Sequence, residues 1–324
     1  MQPFLRKLKS VHYLLTHEGN PLDAIALRID ENIRQYILHS KHSKPFTYKT
    51  KLGFNYLCLP KLATSTNLYV HQRSYEEIEL EISKSWLQVG DSCLDLGANI
   101  GYFSTLFAAK VGKTGQVIAI EASPTTVQHL QQVIQTLKLF QIQIEPVCVT
   151  DTNGFVEFMV GCDEGMDVRQ SLKVSPELET RFKKQAVPST TLDSLIQKHQ
   201  ISDQVSLIKM DIEGAEALAL RSGSLLFKES SLPLFIVEVY KLGLQRMGFE
   251  PKDIFNLFSA QWFELYYINR TYPNLTPEFP YGTIRPLSGL NDLEQLWHSN
   301  LIAIPKVGKY AYRKVNIMNH LAEA

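Results

Sequence analysis

The sequence predicts an α/β fold, a mostly parallel sheet of seven strands with helices on both faces, preceded by a smaller N-terminal piece. Three observations carry this prediction. Short apolar runs recur and meet acidic residues at or near their ends: Cys93 to Leu96 around Asp95, Val117 to Ile120 before Glu121, Val205 to Met210 before Asp211, and Leu234 to Val239 around Glu238. Stretches with helical spacing of apolar residues separate these runs, as parallel strands joined by crossover helices require. The first run breaks at small residues, in Asp95-Leu96-Gly97-Ala98-Asn99-Ile100-Gly101-Tyr102-Phe103-Ser104, and restarts as a helix with Phe103, Leu106 and Phe107 turned inward. That is how such a sheet builds a nucleotide-type ligand site.

Taken in order, residues 1–70 read as an appendage and 71–324 as the main domain. Phe4, Leu5, Leu8, Val11 and Leu15 fall at helical spacing among basic residues, as in a helix packed on its own protein; a membrane-surface contact through residues 1–15 is the lesser reading. Asn20-Pro21 reads as N-cap and first helical position of a helix to about His39, and Phe46 to Leu59 as a hairpin around Gly53. Such a piece would cover a cofactor or dress a substrate mouth. Ile78, Ile82 and Trp86 mark an amphipathic helix leading into the first core strand. Pro124 to Leu139 reads as the second crossover helix, and Ile142 to Val149 as a third strand made irregular by Pro146. Asn153-Gly154 and the alternating Phe155 to Val160 suggest an added hairpin, and Gly161 to Pro188 a polar surface insertion. Thr191 to His199 fits a capped short helix, Val205 to Met210 is the fourth strand, Gly214 to Leu226 the next helix, and Leu234 to Val239 the fifth strand. Trp262 to Ile268 and Asn300 to Pro305 complete the seven, with one edge strand reversed.

Composition narrows the function classes. With 324 residues, 44% hydrophobic and 20% charged, the chain has ample core for a large domain. Lys plus Arg and Asp plus Glu number 33 each, so no net basic field draws in nucleic acid. Cys58, Cys93, Cys148 and Cys162 form no CxxC pair, which predicts reduced thiols and a cytoplasmic setting. Charge interrupts the apolar N-terminus, so no signal-peptide core is expected there, and no stretch reaches the ~18 apolar residues of a membrane span.

The ligand site can be read further. Gly97 and Gly101 lack a Cβ, so the turn can take positive φ and approach a bound molecule closely. A dinucleotide fingerprint wants a third glycine where this chain has Asn99. Without it the pyrophosphate reading weakens, and the Asp95 carboxylate suits a cationic group instead, such as the amino group of S-adenosylmethionine (SAM). Glu121, at the end of the second strand, is placed to grip ribose hydroxyls.

By these residues the chain resembles the SAM-dependent methyltransferases, and in particular the FkbM family. The resemblance rests on an ordered set of blocks: DLGANIGYFS from Asp95, EASP from Glu121, TLDSL from Thr191, IKMDIEGAE from Ile208 and IVEV from Ile236. It implies a Rossmann-like class I methyltransferase fold and methyl transfer from SAM, with S-adenosylhomocysteine (SAH) as product. The acceptor it implies is a hydroxyl of a sugar, glycan, glycolipid or polyketide-type metabolite. The expected cofactor-binding residues are Asp95, Gly97, Ala98, Asn99, Gly101, Tyr102, Phe103, Glu121, Ala122, Thr150, Asp151 and Asp211, with Asn99, Tyr102 and Phe103 shaping the pocket and Thr150-Asp151 placed for the adenine or for a local turn.

For the chemistry itself, the candidates are Asp211, Glu213 and Glu238. Asp211-Ile212-Glu213 ends the fourth strand, at the same crevice as the first, and the resemblance places this block at the methyl-transfer site. Acids at a helix start also favour the helix dipole with no catalytic role. Glu238 sits in an otherwise apolar strand, where a carboxylate must be partnered or protonated, and Lys209 is the expected partner. Glu216 reads as helical surface, and Gly214 as a site of close packing. His71, His129, His199 and His298 show no ligand spacing, and no metal site is expected. Hydroxyl activation is expected from a carboxylate base rather than a divalent metal. Tyr272-Pro273, Pro277 and Phe279-Pro280-Tyr281 offer ring faces for a sugar, or ordinary loop packing. A nicotinamide oxidoreductase would share the first strand and the ribose acid but needs the missing glycine. A non-catalytic SAM-binding module would not need the three acids. Methylation of a nucleic-acid base is disfavoured, because Asp211-Ile212-Glu213-Gly214 stands where such enzymes resemble one another in an Asn/Asp-Pro-Pro-Tyr segment.

Overall fold

A computed structural model describes residues 29–38, 44–71, 76–162, 170–271, 281–294 and 297–318. The expected helix over Phe4 to Leu15, the Asn20-Pro21 start, the charged residues Asp163, Glu164, Asp167 and Arg169, and the loop from Tyr272 to Pro280 lie outside them.

Helix α1 (29–38) precedes the hairpin β1 (Phe46–Lys49) and β2 (Asn55–Cys58), which pair antiparallel with Phe46 opposite Cys58. Helices α2 (Ala63–Val70) and α3 (Glu77–Trp86) lead to β3 (Ser92–Leu96), α4 (Tyr102–Val111), β4 (Gln116–Ile120), α5 (Pro124–Leu137) and β5 (Ile142–Glu145). Next come β6 (Cys148–Val149), β7 (Gly154–Gly161), β8 (Phe182–Thr190), α6 (Leu192–His199), β9 (Val205–Met210) and α7 (Glu216–Arg221). The last third holds β10 (Leu234–Tyr240), α8 (Lys241–Met247), α9 (Pro251–Phe255), β11 (Phe263–Thr271), β12 (Tyr281–Pro286), α10 (Leu290–Glu294) and β13 (His298–Pro305).

The main sheet runs β12-β11-β13-β10-β9-β3-β4-β5. It contains the seven expected strands and an eighth, β12, at the far edge. Five neighbours from β10 to β5 are parallel; β13 is antiparallel to β10 and to β11, and β12 is antiparallel to β11. Two strands are therefore reversed rather than one. Strand β3 lies between β4 and β9, the point from which the connections leave in opposite directions and where open α/β sheets keep their ligand crevice.

Period two decides what faces where. On β3 and its neighbours, Cys93, Leu207 and Ile236 join one core cluster while Leu94, Leu96, Ile208 and Phe235 join the other. The first cluster includes Trp86, Leu106, Phe107 and the hairpin residues Phe54, Tyr56 and Leu57, so the hairpin packs onto that face. By the same alternation Asp95, Lys209, Asp211, Glu238, Asn300 and His298 share this face toward the ends of their strands, polar residues continuing rows that are apolar deeper in the sheet.

Two expectations about the middle of the chain change. The third strand stops at Glu145 because Pro146 cannot donate to the ladder, and Cys148–Val149 pairs with β8 in a separate sheet ordered β6-β8-β7. Residues 182–188, read as the end of a surface insertion, belong to β8, which pairs antiparallel along the whole of β7. The expected cap of α6 is present: Thr191 Oγ1 accepts the Ser194 N–H at 3.1 Å.

Candidate functional site

The turn after β3 is held by backbone bonds from Gly97 and Ala98 to the Ile120 carbonyl, so the ends of β3 and β4 form one ledge. Gly97 has φ +78°, and a Cβ there would lie 1.8 Å from the Asp211 carbonyl oxygen, which is why only glycine fits. Gly101, with φ +81°, leaves room for Leu130, whose Cδ1 would be 2.4 Å from a Cβ. Both glycines thus let protein approach protein: Gly97 draws the β9 end against the β3 end, and Gly101 draws α5 against α4.

Asn99 takes the left-handed conformation, φ +50°, that asparagine tolerates better than most residues. Its side chain accepts the Ile100 N–H at 2.7 Å, and its own N–H donates to Glu121 Oε2 at 3.0 Å. The other Glu121 oxygen accepts the Ser123 N–H at 2.8 Å. Glu121 is buried, which pushes its carboxyl up to about 7 against the opposing pull of those N–H groups. Each oxygen keeps a further lone pair for a hydroxyl donor.

Asp95 is buried beside it. Ser104 donates to its Oδ2 at 2.5 Å, and its Oδ1 is buried with no hydrogen-bond partner among the described residues. Burial raises its pKa, opposed by the charge of Lys209. A buried carboxylate oxygen without a donor among the described residues fits a ligand bearing an ammonium group. Tyr102 packs against Phe54 and Tyr56 of the hairpin, Phe103 lies beneath Lys209, and the Tyr56 hydroxyl donates to the Ile100 carbonyl at 2.7 Å. The hairpin therefore braces the glycine turn. Ala122 packs near Cys148, Thr150 spends its hydroxyl on the Thr152 carbonyl at 2.8 Å, and Asp151 is exposed.

The second half of the site is an acidic cluster at the ends of β9 and β10. Lys209 is buried, its Nζ 3.1 Å from Asp211 Oδ2 and 4.5 Å from the Phe103 ring centre. Its neighbours Asp211, Glu76 and Asp95 overcome the burial penalty and raise its pKa, so it stays a cation. Burial acts to raise the pKa of Asp211, but the charge and hydrogen bond of Lys209 outweigh it and hold the group below its ordinary value. Lys209 is thus the partner of Asp211, whereas Glu238 pairs with His298, whose Nε2 lies 2.8 Å from Glu238 Oε1. This corrects the expected Lys209–Glu238 pair. Glu238 Oε2 has no hydrogen-bond partner among the described residues, and burial raises the Glu238 pKa, as does the charge of Asp211.

Glu213 adopts φ +57°, a strained setting for a glutamate, and burial beside Glu238, Asp211 and Glu216 pushes its carboxyl well up, with Arg246 opposing. Glu216 is fully buried rather than on the surface. It accepts the N–H of Ile212 at 2.8 Å and of Gly214 at 3.0 Å, closing the loop between β9 and α7, and burial pushes it up to about 8. Gly214 packs as expected: a Cβ there would lie 2.4 Å from the Gly243 carbonyl on α8. His298 is the residue that sequence reasoning passed over, since nothing in its spacing connects it to a carboxylate across the sheet.

A family model described as the methyltransferase FkbM domain matches residues 95–265, just over half of the chain. A protein-L-isoaspartate O-methyltransferase from Methanococcus aeolicus is 35% identical over 72 residues, 22% of this chain and 32% of the relative, so the match spans about a third of that protein. Among solved structures, a methyltransferase FkbM from Methylobacillus flagellatus KT is 16% identical with a TM-score of 0.41, over 75% of this chain and 56% of that one. A SAM-dependent O-methyltransferase from Thermotoga maritima is 12% identical with a TM-score of 0.38, over 80% of this chain and 77% of that one.

Proposed function

The chain belongs to the FkbM methyltransferase family, and we propose that it transfers a methyl group from SAM to a hydroxyl oxygen of a sugar, glycan, glycolipid or polyketide-type acceptor. The observation that carries this reading is the Asp95 Oδ1 atom, buried and without a donor one turn from Gly97 and Glu121. Asp95 would hold the amino group of the cofactor, Glu121 its ribose hydroxyls, and the Gly97 to Gly101 backbone its flank. When bound, SAM supplies a methyl group activated by a sulfonium.

The residues around the crevice then have separate tasks. Most of the acceleration comes from aligning acceptor oxygen, methyl carbon and sulfur, and the rest from taking the hydroxyl proton. Asp211, kept ionised by Lys209, is the weakest base of the cluster and serves better to offset positive charge at the transfer point. Glu213, after β9, and Glu238, on β10, are both raised chiefly by burial and are the carboxylates proposed to take the proton. In this reading 71–324 form the catalytic domain, and the β1–β2 hairpin of the preceding appendage flanks the crevice.

The test is to incubate the protein with methyl-labelled SAM and fractionated polar-metabolite, glycan and lipid extracts. Label should appear as a base-stable methyl ether in one fraction and disappear with Asp95→Asn. Label entering only protein carboxyls or nucleic acid would contradict the acceptor class.

A further inference from the structure

We propose that the acceptor carries an anionic group, a phosphate or a carboxylate, and that the Arg246 guanidinium on α8 receives it. The inference rests on the methyl-transfer reading above and narrows its acceptor class.

Arg246 is half-buried, and its Nε–H is buried with no acceptor among the described residues. Arg34, Arg221 and Arg313 hold the carboxylates of Asp30, Asp253 and Asp91, whereas Arg246 holds none among the described residues. A buried N–H without an acceptor destabilises the empty fold, so a group that brings one is bound the more readily.

The fold sets this guanidinium at the ends of β9 and β10. Helix α8 leaves directly from Tyr240, the last residue of β10, and Gly243 packs on the turn after β9: a Cβ there would lie 3.2 Å from Gly214 Cα and 3.3 Å from the Glu213 carbonyl oxygen. Arg246 follows Gly243 by three residues, so it shares that side of the helix, and a helical side chain leans back over the preceding turn. Its Cζ accordingly lies 5.4 Å from the Tyr240 ring centre. The Tyr240 ring in turn meets Trp297 and His298 edge-on, with centroids 5.9 and 5.5 Å away. The charge of Arg246 reaches Glu213, where it opposes the effect of burial, yet no ion pair closes between the two.

A guanidinium offers five N–H groups in a rigid planar fork, which matches two oxygens of a phosphate or a carboxylate. A neutral sugar gives the buried Nε–H a weaker acceptor than an anion does, so the fork discriminates by charge as well as by shape. The acids nearby leave room for an incoming anion: Asp211 is offset by Lys209 at 3.1 Å, and burial limits the negative charge on Glu213 and Glu238.

The charge of the product made from methyl-labelled SAM and the polar-metabolite, glycan and lipid extracts tests this. The labelled methyl ether should be retained on an anion-exchange resin at neutral pH and released by salt. Tandem mass spectrometry then separates the two sources, phosphate fragment ions marking one and loss of carbon dioxide the other. A labelled methyl ether that passes through the resin would overturn the proposal. With the retained fraction as acceptor, Arg246→Gln should raise KM about ten- to hundredfold while kcat and calorimetric SAM affinity stay within about threefold. Arg246→Lys, which keeps the charge without the fork, should recover part of that loss. An acceptor KM within about twofold of the parent value in Arg246→Gln, or a loss of SAM affinity as large as the rise in KM, would overturn it as well. Failure of the parent protein to bind SAM would be a different result, sinking the cofactor reading itself.

Discussion

At the scale of the residue, the site is set by which carboxylate oxygens the fold satisfies. Both Glu121 oxygens accept backbone N–H groups, whereas Asp95 leaves Oδ1 with none, so the two acids answer differently to substitution. Asp95→Asn keeps an oxygen for Ser104 and removes the charge. SAM affinity measured by calorimetry should fall about ten- to hundredfold, the ~1.5–3 kcal/mol of a charged hydrogen bond, with Tm nearly unchanged. Parent-like affinity would make Asp95 structural. Gly97→Ala should cost far more, because its Cβ would occupy the place of the Asp211 carbonyl oxygen. Asp95, Gly97 and Glu121 were legible in the sequence because local rules place them: an apolar run ends, a turn follows, and an acid ends the next run. His298 was not, since its partner lies 60 residues away and only strand pairing brings them together. Glu216 was misjudged for a related reason: its helical position points to the surface until the loop N–H groups that it accepts are known.

At the scale of the element, the loop from Asp211 to Ala215 is held by three devices: Gly97 under the Asp211 carbonyl, Gly214 against Gly243, and Glu216 accepting two loop N–H groups. Glu216→Ala leaves those donors buried and unpaired. Urea unfolding should show a loss of roughly 2–3 kcal/mol, and a loss below about 0.5 kcal/mol would mean that the carboxylate is not needed to close the loop. The crossover units around β3, β4 and β9 followed from apolar runs and helix-start residues, Thr191 and Pro124 among them. The β6-β8-β7 sheet did not, because its pairing of β7 with β8 spans a polar connection whose composition resembles a loop, and because Val149 leaves the main sheet at a proline. The partner of a strand is a tertiary fact that alternation within the strand does not encode.

At the scale of the whole molecule, the crevice concentrates buried acids at a cost to the empty fold. Glu121 is pushed up to about 7 and Glu216 to about 8, and Glu213 and Glu238 are raised as well, each chiefly by burial. These groups ionise near 4.5 in the unfolded chain, so between there and about pH 8 the folded state holds more protons than the unfolded one. Stability from these groups is therefore fully present below about 4.5 and is lost as pH rises through the folded values. The Tm of the ligand-free protein should fall between pH 6 and pH 8.5, and the stabilisation given by saturating SAM, a cation, should grow over the same interval; a Tm that climbs with pH would contradict the burial of these carboxylates. At the opposite end of the sheet, Arg313 ties the C-terminal turn to buried Asp91 with two hydrogen bonds and reaches the Trp86 carbonyl, so Arg313→Ala should destabilise the fold by ~3–5 kcal/mol while leaving SAM affinity of the folded protein intact. The central claim is that this crevice holds SAM, and titration calorimetry of the parent protein with SAM, SAH and NAD in parallel tests it most directly: the account predicts one saturable site for SAM and SAH and no comparable heat with NAD, whereas tight NAD binding with no SAM heat would contradict it.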